Sequence, residues 1–182
     1  MKNDDSLYCK YVDDLFKYGI SLGFGRESCE DAIHDVYLHL YSERIADTLR
    51  DVRDVKAYLF RSVKNRLIDL QKRENIVIYT DGIEELPFKI DFTVLDSIIA
   101  KEKAAILKAK IDRLLSMLTP RQREAVYLRY IQELEYEQIA QVLDMEVESV
   151  RKLVHRGLEK LRKEADPELF MVLIGALFAF RV

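Results

Sequence analysis

The segment from Thr119 to Lys163 constrains the fold more than any other part of the sequence, because it carries a helix-turn-helix pattern. That motif needs two short helices that cross steeply through a tight turn, with a small residue where they meet and apolar residues at set offsets. Ala140 supplies the small residue. The apolar offsets are filled by Ile139, Leu143, Met145, Val150 and Leu153. The pattern predicts a second helix from about Val147 to Lys163, with an apolar stripe that turns toward the core and is formed by Val150, Leu153, Val154, Leu158 and Leu161.

The ends of the predicted helices carry local signals of different strength. Thr119 is placed as an N-cap, Pro120 as the first helical residue, and Gln122 as the partner of a capping box. In the turn, Asp144 stands where Gly is usual, and Asp tolerates a left-handed backbone less well than Gly but better than most residues. Glu146 replaces the usual Ser or Thr cap. These two departures weaken the turn signal without removing it.

The whole chain favours helix over strand. Among its 182 residues, 49% are hydrophobic, 34% are charged, and only 6 are Gly and 3 are Pro. Long runs of Leu, Ile, Glu, Lys and Arg are typical of helices, and around Pro87 the helical period is lost. We therefore predict an all-α protein with two small helical domains, a linker and a short apolar C-terminal helix. The predicted bounds are 1–74, 75–96, 97–166 and 167–182.

The C-terminal segment is apolar without interruption from Leu169 to Phe180. About a dozen residues are too few to span a bilayer, which takes ~20, so no membrane insertion is expected. A helix after Pro167 that packs on the second domain is the favoured prediction. The alternative is a docking surface for a partner protein, for the first domain of the same chain or for a second copy of the chain.

Several kinds of chemistry find no support in the sequence. Cys9 and Cys29 lack a metal-binding or redox spacing, and three scattered histidines do not complete a zinc site. No Gly-rich phosphate loop or nucleophile–base set is present. We therefore expect no enzymatic activity, no metal and no cofactor. The N-terminus has no apolar leader, so a cytoplasmic location is expected.

Positive charge is concentrated on two segments of a chain whose formal net charge is −3. The segment from Lys56 to Arg73 contains six cationic side chains and a single carboxylate, that of Asp69. The second helix of the helix-turn-helix is also basic, and its N-terminal half is the part that enters a DNA major groove in such motifs. A solvated helix face is the alternative explanation for such charge. The residues predicted to contact DNA there are Ser149, Arg151, Lys152, His155, Arg156 and Lys160.

Three segments together resemble a known family, the bacterial RNA polymerase sigma factors of the extracytoplasmic-function (ECF) group. The region 2 helix that docks on the polymerase clamp resembles EDAIHDVYLHLY, which starts at Glu30. The helix that melts and binds the promoter −10 element resembles AYLFRSVKNRLIDLQKR, which starts at Ala57. Region 4, which reads the −35 element, resembles the segment from Leu118 to Arg162.

The resemblance implies a promoter-recognition factor whose partners are core RNA polymerase, promoter DNA and an anti-sigma factor. It implies a loop near Leu49–Val55 that receives a flipped promoter base. Polymerase binding is implied for Asp31, His34 and Asp35. Contact with the −10 element is predicted for Lys56, Arg61, Lys64, Asn65, Arg66 and Arg73. The alternative is a helix-turn-helix regulator that acts without polymerase, although the basic helix of the first domain argues against it.

Overall fold

The computed structural model describes residues 4–42, 52–74, 86–90 and 101–179. All regular secondary structure in these ranges is α-helical, which confirms the all-α prediction. The helices are α1 (Asp4–Ser21), α2 (Arg26–Ser42), α3 (Val52–Glu74), α4 (Lys101–Ser116), α5 (Pro120–Tyr130), α6 (Tyr136–Leu143), α7 (Val147–Glu164) and α8 (Pro167–Ala179).

The chain divides into two compact units, one of Met1–Pro87 with Ala140–Asp144 and one of Phe88–Ile139 with Met145–Val182. Most of the predicted linker, 75–96, lies outside the described residues, and the domain bounds stay a prediction. The part of the predicted loop near Leu49–Val55 that precedes residue 52 also lies outside the described residues. From Val52 onward this segment is the first turn of α3.

In the first unit, α1, α2 and α3 pack on one another in all three pairs. Their apolar residues recur at helical spacing, so each helix turns one stripe inward. The rings of Tyr18 and Phe60 are 5.0 Å apart between centroids in this core. Fully buried side chains come from all three helices and include Leu15, Tyr18, Ile33, Leu40, Phe60 and Leu67.

Gly19 of α1 lies close against α2 and α3. A Cβ atom on Gly19 would lie 2.6 Å from Cys29 Sγ and 3.3 Å from Leu67 Cδ1. Burial, with a smaller contribution from Glu30, raises the pKa of the Cys29 thiol to about 11. The thiol is therefore protonated at neutral pH, and Cys29 acts as a packing residue.

In the second unit, α5 begins as predicted. The Thr119 hydroxyl accepts from the Gln122 backbone N–H at 3.2 Å, and the Thr119 N–H donates to Gln122 Oε1 at 3.1 Å. Pro120 follows at the first helical position, where a missing N–H costs nothing. The capping box therefore sets the start of α5, which packs on α7.

The apolar C-terminal segment forms α8. The Asp166 carboxylate caps it by accepting from the Leu169 N–H at 2.8 Å. α8 contacts α5 and α7, and its residues Leu173 and Leu177 are buried whereas Met171 is 69% exposed. These contacts agree with the favoured prediction of packing on the second domain. Among the described residues, no helix has the length and apolarity that crossing a membrane requires.

Candidate nucleic-acid interface

A three-residue turn, Asp144–Glu146, joins α6 to α7. Asp144 has a left-handed backbone with φ of 53°, so the residue predicted to tolerate that conformation does adopt it. Glu146 has an extended backbone at the N-cap position but makes no side-chain cap hydrogen bond. The predicted helix-turn-helix elements are thus present, with α7 beginning at Val147 and ending one residue beyond the predicted Lys163.

The inward face of α7 is formed by Val150, Val154, Gly157 and Leu161. Two residues that the apolar stripe also predicted to be buried, Leu153 and Leu158, are only half-buried. A Cβ atom on Gly157 would lie 3.4 Å from Val126 Cγ2 and 3.8 Å from Gln122 Cβ, both on α5. Gly157 therefore lies against α5 with room for one methyl group.

We expect Gly157→Ala to raise the free energy of unfolding of the second unit by about 0.5–1 kcal/mol. Alanine lowers the backbone entropy of the unfolded chain, and its methyl group meets Val126 at ordinary van der Waals distance. Urea unfolding followed by circular dichroism measures the change. A decrease would mean that Val126 and Gln122 cannot shift enough to make room for the added methyl group.

The outward face of α7 carries the residues predicted to contact DNA. Exposed side chains belong to Arg151, Lys152, His155, Arg156 and Lys160, whereas Ser149 is half-buried. Lys152 lies 4.0 Å from Glu148 and His155 lies 4.0 Å from Glu159, each pair one turn apart and exposed. Exposed pairs of this kind contribute little stability, so Lys152 can exchange Glu148 for a phosphate, and His155 is held only weakly by Glu159.

Lys160 has a tertiary partner as well as an exposed side chain. Its ammonium donates to the backbone carbonyl of Met117 at 2.6 Å, just beyond the end of α4. An amine beside the last carbonyls of a helix also favours the helix dipole. Lys160 therefore ties α7 to the end of α4.

Arg151 contacts two residues of α6. Its guanidinium carbon lies 5.5 Å from the centroid of the Tyr136 ring, and its Nη2 lies 3.4 Å from Glu137 Oε1. Arg129 lies over the same ring at 5.0 Å. Sequence reasoning missed Tyr136 and Glu137, because their relation to Arg151 depends on how α6 and α7 cross.

In the first unit, the predicted −10 contacts on α3 differ in exposure. Arg61, Asn65 and Arg73 are exposed, whereas Lys56, Lys64 and Arg66 are half-buried. Lys56 Nζ lies 3.8 Å from Asp14 Oδ2 and 5.8 Å from the centroid of the Phe60 ring. Lys56 thus has partners within its own unit.

The residues predicted to bind polymerase lie on α2. Asp31 and His34 are exposed and Asp35 is half-buried. Arg66 of α3 donates to Asp35 Oδ2 from Nε at 2.8 Å and also from Nη2. The structure thus joins two residues for which the sequence predicted different partners, and both N–H groups converge on one carboxylate oxygen. In the part of the chain that is described, no cluster of His, Cys, Asp or Glu could hold a metal ion.

Comparison with known proteins shows which proteins this chain is similar to. Residues 108–161 match the family described as Sigma-70, region 4. ECF RNA polymerase sigma factor SigM of Bacillus subtilis is 22% identical over 163 residues, which cover 87% of this chain and 92% of that protein. RNA polymerase sigma-E factor of Streptomyces avermitilis is 32% identical over 123 residues, 66% of this chain and 62% of that protein.

The fold also has a counterpart among solved structures. The sigma factor RpoE from Bartonella quintana, solved in complex with the anti-sigma factor NepR, matches with a TM-score of 0.57 at 19% identity. The match covers 94% of this chain and 99% of that one. At 19% sequence identity, the match shows that the two chains share a fold.

The helix-turn-helix and its surroundings, residues 108–161, therefore match sigma-70 region 4. The chain as a whole is similar to proteins named ECF RNA polymerase sigma factors, which align with most of its length. The predicted resemblance to that group is confirmed.

Proposed function

We propose that the protein is a promoter-recognition sigma factor that binds core RNA polymerase and directs transcription initiation in the cytoplasm. The observation that carries this proposal is the exposed basic face of α7 within a region 4 domain, in a chain whose relatives are named ECF sigma factors. The predicted residues of that face, from Ser149 to Lys160, are assigned to the −35 element. Their arginine and lysine donors match guanine acceptors and phosphates.

The first unit is assigned to the −10 element and to the polymerase. Exposed Arg61, Asn65 and Arg73 on α3 are suited to an unpaired strand, whose phosphates attract cations. Asp31 and His34 on α2 are assigned to polymerase binding, and the Asp35–Arg66 pair joins α2 to α3. An anti-sigma factor is proposed as a further partner, because the similar RpoE chain was solved with one.

The domain roles follow the predicted bounds. Residues 1–74 are proposed to act as the region 2 domain and 97–166 as the region 4 domain, with 75–96 as their linker. The apolar segment 167–182 extends the second domain through α8.

Run-off transcription with core RNA polymerase tests the proposal. We expect the chain to bind core polymerase and to start transcripts at a defined promoter, and Arg156→Glu to lower the transcript about tenfold or more. Lys110→Glu is the matched control, because it reverses an exposed charge on α4 outside the proposed interface. The absence of both core binding and any promoter-dependent transcript would refute the proposal. Promoter-specific binding by the chain without core binding would support the polymerase-independent regulator instead.

A further inference from the structure

The surroundings of Arg151 differ from those of the other cations on α7. α7 is described over its full length, Val147–Glu164, and within the described residues Arg151 is the cation of this helix that lies over an aromatic ring. We propose that Tyr136 and Glu137 are specificity-determining residues, which hold the Arg151 guanidinium for a base edge and discourage its contact with phosphate. This inference rests on the proposed function and deepens it.

The Tyr136 ring is held in place by a second cation. Arg129 lies over it at 5.0 Å, donates to the Leu134 carbonyl at 2.9 Å, and lies 3.4 Å from Glu135 Oε2. The ring is therefore anchored at the start of α6, where its face is available to Arg151. A planar guanidinium gains attraction from such a face, so its orientation is restricted.

Glu137 acts on Arg151 mainly through its negative charge, because the hydrogen bond between them is weak. The 3.4 Å separation from Arg151 Nη2 is long, and the two side chains are 62% and 52% exposed, so the pair adds little to stability. Of the five N–H donors of an arginine, one at most is used by Glu137. The carboxylate weakens the attraction of Arg151 for a phosphate, whereas the remaining donors still match the O6 and N7 acceptors of guanine.

Lys152, the next residue on α7, lacks the restraint that Tyr136 and Glu137 place on the Arg151 side chain. Its partner is Glu148, one turn away on the same helix at 4.0 Å. This contact can form on any isolated helix and fixes no direction. The Arg151 side chain instead is held in one direction by residues of another helix, α6. Reading a base requires such a fixed direction, because phosphate contacts position a protein and base contacts specify the sequence.

The test is selection from a randomised duplex DNA library by the full chain bound to its core polymerase. We expect Arg151→Ala to lower the preference at one guanine-containing position about fivefold or more. Glu137→Gln and Tyr136→Leu should lower it at the same position about two- to fivefold, whereas Tyr136→Phe keeps the ring and the preference. Glu164→Gln, at the exposed end of α7, is the control for net charge and should leave the preference unchanged.

A second measurement separates positioning from folding. For the full chain on an unselected duplex, Glu137→Gln should strengthen binding and steepen the dependence of log K on log salt by about one unit, because Arg151 then gains a phosphate. Unchanged base preference in Glu137→Gln and Tyr136→Leu, with loss in Arg151→Ala, would overturn the inference and leave the proposed function standing. Uniform loss at every position would also overturn it, as a purely structural effect. If the wild-type chain neither binds core polymerase nor enriches any sequence, the proposed function fails and the inference fails with it.

Discussion

Leu173→Ala is expected to lower the free energy of unfolding of the second unit by about 2–5 kcal/mol. The side chain is fully buried, and α8 contacts both α5 and α7. Truncation of a buried leucine loses its transfer free energy and leaves a cavity that the surroundings fill only in part. Urea unfolding followed by helical circular dichroism measures the loss.

Met171→Ala is the matched control for this substitution. It removes a side chain of similar size from the same helix, but one that is 69% exposed, so we expect a change within about 0.5 kcal/mol. Equal and small effects of the two substitutions would contradict the packing of α8 on the second unit. They would favour instead the alternative that the apolar segment is a docking surface for a partner.

Gly19→Ala is expected to lower the free energy of unfolding of the first unit by about 1–3 kcal/mol, although alanine favours helices. The added Cβ would lie 2.6 Å from Cys29 Sγ, which is too close, and 3.3 Å from Leu67 Cδ1. One extra methyl group in a filled core forces its neighbours to move. Gly157→Ala makes the same change in a helix with room for the methyl group, and its expected effect has the opposite sign.

A double substitution identifies the cause of this loss. Cys29→Ala removes the sulfur that the new methyl group would meet, so Gly19→Ala should cost less in that background than in the wild type. Unfolding of the four proteins in denaturant gives the coupling free energy. If the cost of Gly19→Ala is the same in both backgrounds, the contact with Cys29 is not the cause, and the contact with Leu67 Cδ1 is the remaining one.

Local signals account for the parts of the fold that were predicted well. The capping box at Thr119 and Gln122 and the left-handed turn at Asp144 each depend on residues within a few positions of one another. The apolar stripe of α7 was predicted less completely. Leu153 and Leu158 are half-buried, whereas Gly157 is buried against Val126 of α5. A stripe gives the side of a helix that turns inward but not the depth of each residue.

In the candidate site, too, the sequence predicted some features and missed others. Exposure of Arg151, Lys152, His155 and Arg156 followed from their places opposite the stripe. The partners of Arg151 did not, because Tyr136 and Glu137 belong to another helix. The cation–π contact of Lys56 with Phe60 was equally absent from the prediction, since charge alone marked that lysine as a contact for DNA.

The amino-acid sequence by itself determined the helices, several of their ends and the faces that carry charge, because these depend on interactions within one or two turns. Only the tertiary structure decided which charged side chains pair within the protein. Arg66 reaches Asp35 across 31 positions, Lys160 reaches Met117 across 43, and Arg151 reaches Glu137 across 14. Such contacts depend on the angle and distance at which helices cross, which are set by the packing of whole faces.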